Sequence, residues 1–469
     1  MEKARVLVVC YGARGVALAD TLKRSTNYAV ELFIADKQRN PHNARIAKEH
    51  RVIPDLNVDE ICRFAEKWRS DLDFALIGPE NPIIEGIKDA LEGRLKIPTI
   101  CPSKSYALEG SKVKQRLLLE EILPEANPRF KVFSLEEEGG ATILKKVERW
   151  IMELGGVEHV VIKPDKPGFG KGVGVGGEHF NTMREALSHF QSLLGDRLSE
   201  KVIVEEKVEG EESSFQAWCD GNVLVPMPDT RDYKRAYDGD MGPNTGGMGS
   251  YRNVEDHLPF MTSSDREKEV DIANKLLNHL KGEGHNPNLI GVPFYIAFIH
   301  TASTPKILEI NSRPGDPEIM NILPTMETDL VDLCYDMVNG SLSQVKYRKE
   351  GSVVTYAVPM TYGGYRKTYS GDGRVDLTEA YRLSVESQGR LFIYPGSMEV
   401  RDGVMYALKS RAVAVVGVGE SIEDARQTSL EGVRSIDGPL WNRWDIGSAK
   451  HIAHSIQHLR ELRKGLRIA

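Results

Sequence analysis

Apolar and polar positions along the first hundred residues repeat as short buried runs separated by amphipathic stretches. Arg5–Cys10, Val30–Ala35 and Phe74–Ile77 are brief, nearly continuous aliphatic runs, the pattern of strands covered on both faces. Between and after them, Ala13–Arg24, Leu56–Arg69 and Ile83–Leu91 carry apolar residues at helical spacing. This alternation predicts a small doubly wound parallel sheet, a Rossmann-like amino-terminal domain. Ligands of such sheets sit beyond the carboxyl ends of the strands. Two loops fall there, Tyr11–Gly15 and Gly78–Pro82.

The rhythm changes after residue 100. A helical stretch covers Lys104–Ile122, and strands are predicted at Val160–Lys163 and Val202–Glu206, flanking a glycine-rich loop over Pro164–Gly177. Phe215–Asp220 and Val223–Met227 form a hairpin, followed by a helix at Arg266–Lys281 and strands at Phe294–His300 and Lys306–Ile310. A composition shift near Gly351 introduces Val353–Pro359, Arg390–Ile393, Ala407–Val416 and the helix Ser421–Ser435, a tail read as a separate α+β unit. The fold class is multidomain α/β and α+β, divided at 1–107, 108–345 and 346–469.

Composition narrows the function classes. The chain has 469 residues, 41% hydrophobic and 28% charged, which fits a soluble globular protein of several domains. A net charge of -7 argues against nucleic-acid binding through a basic face, and no apolar run is long enough to span a bilayer. The five cysteines are scattered and never paired as Cys-x-x-Cys, as expected of buried or free thiols in a reducing cytoplasm.

Residues 231–251 carry the most chemistry. Five glycines and a proline between Gly239 and Gly249 exclude a helix or long strand, and Arg231, Lys234 and Arg235 stand just upstream with Asp232 among them. A glycine-rich loop with cations at its mouth suits an anionic small molecule, whereas a flexible linker would lack the Tyr, Met and clustered Arg found here. A second such loop runs from Lys163 through Gly168, Gly170, Lys171 and Gly172. It lacks the Walker pattern and reads as a hairpin lid whose amides and lysines solvate phosphate. The segment Val204–Ser213 offers extended backbone to an adenine edge and carboxylates to ribose, with Glu205, Val208 and Glu212 suitably spaced; a solvated acidic edge is the alternative. Glu309 and Asn311 share one strand face, a pair of hard oxygen donors suited to Mg²⁺, and Arg313 follows on that face, able to grip a carboxylate or phosphoryl group.

The order Lys112, Lys163 with its glycine loop, Glu205/Glu212 and Glu309-x-Asn311-x-Arg313 resembles that of ATP-grasp enzymes. Within them the whole chain is similar to the phosphoribosylamine–glycine ligase family. The likeness is carried by Gly78-Pro79-Glu80, Leu108-Glu109-Gly110-Ser111-Lys112, Asp232-Tyr233-Lys234-Arg235, Gly242-Pro243-Asn244-Thr245-Gly246-Gly247-Met248-Gly249, Gly315-Asp316-Pro317-Glu318 and Asp445-Ile446-Gly447. The resemblance implies a central ATP-grasp domain, its lid over about 133–205, and ligation of glycine to 5-phosphoribosylamine through a glycyl phosphate. It implies ATP as co-substrate and Mg²⁺ (or Mn²⁺) as metal, with no nucleic-acid or membrane partner. Phosphoribosylamine is unstable in water, so direct handover from the preceding enzyme is chemically reasonable.

Residue by residue, the resemblance assigns Lys112, Lys163, Gly168, Gly170, Lys171, Gly172, Glu205, Val208 and Glu212 to ATP, and Glu309 and Asn311 to the metal. Arg313 and Asp316, with Lys163, are the expected catalytic residues. Arg14, Glu80, Asp232, Lys234, Arg235, Thr245, Gly246 and Gly247, with Arg313, are expected at the substrates. One departure stands out: where the family usually reads Gly-x-Gly-Gly-Arg-Glu-His-Ala, this chain has Cys10-Tyr11-Gly12-Ala13-Arg14-Gly15-Val16-Ala17. A ligase using another amine is the alternative this raises, and an ATP-binding regulator without catalysis is a third class.

Overall fold

The computed structural model describes residues 1–134, 140–166, 172–195 and 200–465. It divides into two compact units, the first made of 1–107, 213–295 and 311–456 and the second of 108–212, 296–310 and 457–469.

The first unit opens with five parallel strands: β1 (Glu2–Cys10), β2 (Tyr28–Asp36), β3 (Glu49–Val52), β4 (Phe74–Ile77) and β5 (Thr99–Ile100). Their order is β3-β2-β1-β4-β5, so β1 lies central, with Val6 opposite Leu32 on one side and Phe74 on the other. Residues Val6–Cys10 are buried because helices cover both faces, which is why the run is continuous rather than alternating. The helix Gly12–Lys23 starts one residue after β1. That tight exit needs Gly15, where an added Cβ would come within 2.9 Å of the Cys10 backbone. The predicted Rossmann-like sheet is present, with β3 and β5 added at its edges. The helix expected at Ile83–Leu91 is instead broken at Gly86, whose φ of +97° ends one short helix and begins another.

The rest of this unit is an antiparallel sheet ordered Glu211–Cys219, Thr230–Asp232, Gly249–Arg252, Gly351–Pro359, Val413–Gly419 and Leu391–Pro395. The tail from Gly351 is therefore continuous with the middle of the chain: Ser250 pairs with Val354, and Val354 with Val416. The run Ala407–Val416, expected as one strand, is two, Val404–Ala407 and Val413–Gly419, with Arg411 between them.

In the second unit, β6 (Phe130–Ser134), β7 (Val160–Pro164), β8 (Gly174–Val175) and β9 (Lys201–Glu206) form an antiparallel sheet ordered β6-β9-β7-β8. Helices Gly140–Glu153 and Met183–Gly195 supply Val147, Trp150, Ile151, Phe190 and Leu193 to a core with Phe133, Ile162, Val202 and Val204. Strand β7 turns back into β8, pairing Ile162 with Gly174, so the expected hairpin is formed around the glycine loop. The stretch expected as one helix from Lys104 is two short 3-10 turns followed by the helix Lys112–Ile122. Ser111 separates them because its hydroxyl caps that helix at the Lys114 amide. Among the described residues no helix is long and apolar enough to cross a membrane.

Candidate active site

In the second unit, the end of β7 carries Lys163, opposite Ile203 on the neighbouring β9, and Glu205 stands two residues further along β9, diagonal to Lys163 on the same face of the sheet. The Lys163 ammonium pairs with one Glu205 oxygen, and Arg116 Nε donates to the other at 2.8 Å. Glu205 is 2% exposed. Burial alone would raise its pKa, yet Arg116 and Lys163 together hold it below the ordinary carboxylate range. Burial lowers the Lys163 pKa, with Glu205 and Glu309 opposing that shift and Arg116 adding to it. The result is a carboxylate between two cations, a buried group of net charge +1.

Arg116 escaped the sequence reading. It projects from the helix Lys112–Ile122 and also donates to Asn127 Oδ1 and to the Ile307 and Leu308 carbonyls at 3.2, 2.9 and 2.7 Å. Gln115 on the same helix accepts from the Ile310 amide and donates to its carbonyl, fixing the strand that carries Glu309. Lys112 opens this helix, its Nζ 3.5 Å from the Lys166 carbonyl. Val208 follows the last paired residue of β9, Glu206, and Glu212 is half-buried. Gly172 is described, its carbonyl 3.1 Å from His189 Nε2; Gly168, Gly170 and Lys171 lie outside the described residues.

The strand Lys306–Asn311 presents half-buried Glu309 and 9% exposed Asn311 at alternate positions, with Ile310 buried between them. Among the described residues no three His, Cys, Asp or Glu side chains converge as a metal cage. Two oxygen donors without a cage fit Mg²⁺, which keeps water and substrate phosphates as its other ligands.

The first unit contains a second carboxylate between two cations. Arg14, just past β1, donates to Glu80 Oε2 at 3.0 Å and to the Pro314 carbonyl at 2.9 Å. Arg313 Nε lies 3.3 Å from the same Glu80 oxygen. Glu80 opens the short helix after β4, so both loops singled out at the strand ends meet here. Burial raises the Glu80 pKa, but the Arg14 and Arg313 guanidiniums outweigh it and pull the carboxyl down to about 2. Arg14 is 3% exposed, and its Nε has no hydrogen-bond partner among the described residues.

Asp316 lies on the same loop as Arg313. Its Oδ1 accepts from the Tyr356 hydroxyl at 2.7 Å and lies 3.1 Å from Arg411, whose guanidinium also donates to the Gly246 and Gly247 carbonyls at 2.5 and 3.0 Å. Arg411 thereby joins Asp316 to the glycine-rich loop. It is a second residue that local spacing did not reveal. Gly247 has φ +101°, and a Cβ there would meet Asp232 Oδ1 and Pro317 Cδ at 2.7 Å, so no other residue fits. Thr245 bonds the Lys234 carbonyl through its amide and hydroxyl, and Arg235 donates to the Gly242 carbonyl. The structure thus gathers Arg14, Glu80, Arg313, Asp316, Asp232, Gly246 and Gly247 in the first unit, with Lys234, Arg235 and Thr245 on the adjoining hairpin. Lys163, Glu205 and Glu309 are gathered in the second.

Comparison with known proteins adds to this geometry. The family model for phosphoribosylglycinamide synthetase, N domain, matches residues 4–109, and that for phosphoribosylglycinamide synthetase, ATP-grasp (A) domain, matches 119–319. The phosphoribosylamine–glycine ligase of Pyrococcus furiosus is 35% identical over 460 residues, 98% of each chain. The crystal structure of the phosphoribosylamine–glycine ligase from Thermotoga maritima matches with a TM-score of 0.74 at 24% identity, covering 94% of this chain and 100% of that one. The biotin carboxylase domain of 2-oxoglutarate carboxylase from Hydrogenobacter thermophilus, solved with MgADP, ADP and bicarbonate, matches at a TM-score of 0.63 and 14% identity over 99% and 96% of the two chains, a likeness of fold alone.

Proposed function

The chain belongs to the phosphoribosylamine–glycine ligase family of ATP-grasp enzymes, and from that premise we propose how its residues divide the work of joining glycine to 5-phosphoribosylamine. The γ-phosphoryl group of ATP passes to a glycine carboxylate oxygen, releasing ADP and making the acyl carbon electrophilic. The amine of phosphoribosylamine attacks that carbon, phosphate leaves with its oxygen, and glycinamide ribonucleotide remains. No protein nucleophile is needed, so the side chains act by positioning and by countering charge.

Lys163 and Lys112, with the Gly168–Gly172 loop and Lys171, hold ATP phosphates. Val208, beyond the paired end of β9, offers backbone to adenine, and Glu212 takes the ribose. Glu205, expected to offer backbone as well, has its main chain paired to Val161 within the sheet and its carboxylate held by Arg116 and Lys163, so its part at the ATP site is to fix those two cations. Glu309 and Asn311 would hold Mg²⁺ (or Mn²⁺), which when bound supplies positive charge to the transferring phosphoryl group. Arg313 and Asp316 orient glycine and the acyl phosphate. Arg14, Glu80, Asp232, Lys234, Arg235, Thr245, Gly246 and Gly247 hold phosphoribosylamine. Five free, buried cysteines support a reducing, cytoplasmic setting.

The observation that carries the substrate assignment is the Arg14–Glu80–Arg313 group. It sits where a doubly wound sheet binds ligands, retains net positive charge, and leaves Arg14 Nε a buried donor without an acceptor among the described residues. It supports anion recognition there despite the altered first loop. The test incubates purified protein with MgATP, glycine and freshly generated phosphoribosylamine and follows ADP and product mass. ADP and glycinamide ribonucleotide should appear together and require all three substrates. ADP that depends on glycine without that product would favour another amine, and no ADP with any amine would overturn the ligase reading. Arg14→Met should raise the KM for phosphoribosylamine at least about tenfold while the KM for ATP stays unchanged.

A further inference from the structure

The motif Asp445-Ile446-Gly447 has no part in the roles above, yet its surroundings are specific. Arg443, fully buried, donates from Nε and one terminal nitrogen to the two Asp445 oxygens at 2.8 and 2.6 Å. Its other terminal nitrogen donates to Asp240 Oδ1 and to the Arg235 carbonyl, both at 2.9 Å. Its guanidinium carbon stands 5.0 Å from the centre of the Tyr233 ring.

The neighbours of Arg443 bind the same hairpin. Asp445 Oδ2 accepts from the Gly239 amide at 2.8 Å, and the Trp444 amide donates to Asp238 Oδ1 at 2.8 Å. The Gly447 amide donates to the Tyr233 hydroxyl at 3.0 Å, and His451 lies 3.2 Å from that hydroxyl through Nδ1 and 2.8 Å from Asp240 Oδ2 through Nε2. Gly239 and Asp240 form the turn between strands Arg235–Tyr237 and Met241–Asn244, with φ of +71° and +56°. A non-glycine residue with positive φ is held by its surroundings, here by contacts from Arg443 and His451.

We propose that Arg443 is a positioning residue for phosphoribosylamine binding. Through Asp240, the Arg235 carbonyl and Tyr233, the Arg443–His451 segment sets the geometry of the hairpin that follows Asp232 and Lys234. Arg443 itself touches no substrate. The fork geometry matters, because one planar guanidinium serves a carboxylate bidentately while reaching a second carboxylate and a carbonyl, which a lysine ammonium cannot copy. The proposal rests on the reading of residues 231–251 as part of the substrate site, so that reading has its own control.

The test compares full-length Arg443→Lys, Arg443→Ala and Asp445→Asn with Lys234→Ala, measuring KM for each substrate, kcat and thermal unfolding. Both Arg443 variants should raise the KM for phosphoribosylamine at least about tenfold, with ATP KM changed less than about twofold. Free guanidinium ion at tens of millimolar, on the order of the effective concentration it replaces, should partly restore Arg443→Ala and leave Lys234→Ala unchanged. Unchanged KM values in folded Arg443 variants would overturn the proposal. So would a uniform loss across all substrates, matched by the milder Asp445→Asn, which marks a purely structural role. If Lys234→Ala leaves the phosphoribosylamine KM unaltered, the loop reading itself fails, whatever the Arg443 variants do.

Discussion

Glu269→Gln tests whether a buried carboxyl beside the Glu212–Ser213 segment makes stability depend on pH. Glu269 is fully buried on the helix Ser263–Lys281, and Ser213 Oγ donates to its Oε1 at 2.5 Å. Burial raises its pKa to about 7, with Ser213 and Arg266 opposing that shift only in part. The unfolded value is near 4.5, so the fold raises the pKa. Stability is therefore complete below the unfolded value and falls as pH rises through about 7, where the buried group is forced to ionise. The difference of about 2.5 units corresponds to roughly 3 kcal/mol at full ionisation, using 1.36 kcal/mol per unit. Glutamine has the same shape and never ionises. Its advantage over the native residue should be near zero around pH 4.5 and approach about 3 kcal/mol at pH 8, on the order of 3 °C in Tm for a chain of 469 residues. Thermal unfolding of both proteins between pH 4.5 and 8 measures this. A constant Tm difference across the range would refute the reasoning, because a packing effect does not titrate.

Two further outcomes follow from the second unit. Arg116→Met strips the buried Glu205 carboxylate of one of its two cations and should destabilise the protein by about 3–5 kcal/mol and raise the KM for ATP; urea unfolding within about 1 kcal/mol of the native protein would contradict the pairing. Glu309→Ala should abolish turnover and Mg²⁺ dependence and weaken Mn²⁺ binding measured spectroscopically without glycine, and near-normal activity or Mn²⁺ affinity would remove Glu309 from the metal site.

How much of this was legible depends on whether the signal was local. The central strands of the parallel sheet could be read because burial on both faces demands continuous apolar runs. The edge strand Glu49–Val52 could not, since most of it is exposed and its composition is that of a loop. The carboxylates and lysines of the candidate site lie in motifs, and their neighbours in sequence announce them. Arg116 and Arg411 do not, because each finds its carboxylate far along the chain: Arg116 meets Glu205, and Arg411 meets Asp316. A cation on an amphipathic helix or between two strands reads as a solvated surface residue until the fold supplies its partner. Arg443 is the same case only in part: its pair with Asp445 is local, but Asp240 and the Arg235 carbonyl meet it only through the fold.

Those partners change what the carboxylates can do. With its pKa held down at about 2, Glu80 is ionised at neutral pH and correspondingly weak as a base. The proton lost when the amine attacks the acyl phosphate has a better acceptor in the departing phosphate, whose dianion is a far stronger base than a carboxylate held this low. The role left to Glu80 is to fix two guanidiniums that would otherwise repel each other and spread. Removing it would add charge but lose direction, because Arg14 and Arg313 share one Glu80 oxygen. Glu205 does the same for Lys163 and Arg116 in the other unit, again leaving one net positive charge. A bare pair of cations would bind anions in many poses; a carboxylate between them confines the surplus charge to the directions its own oxygens do not occupy.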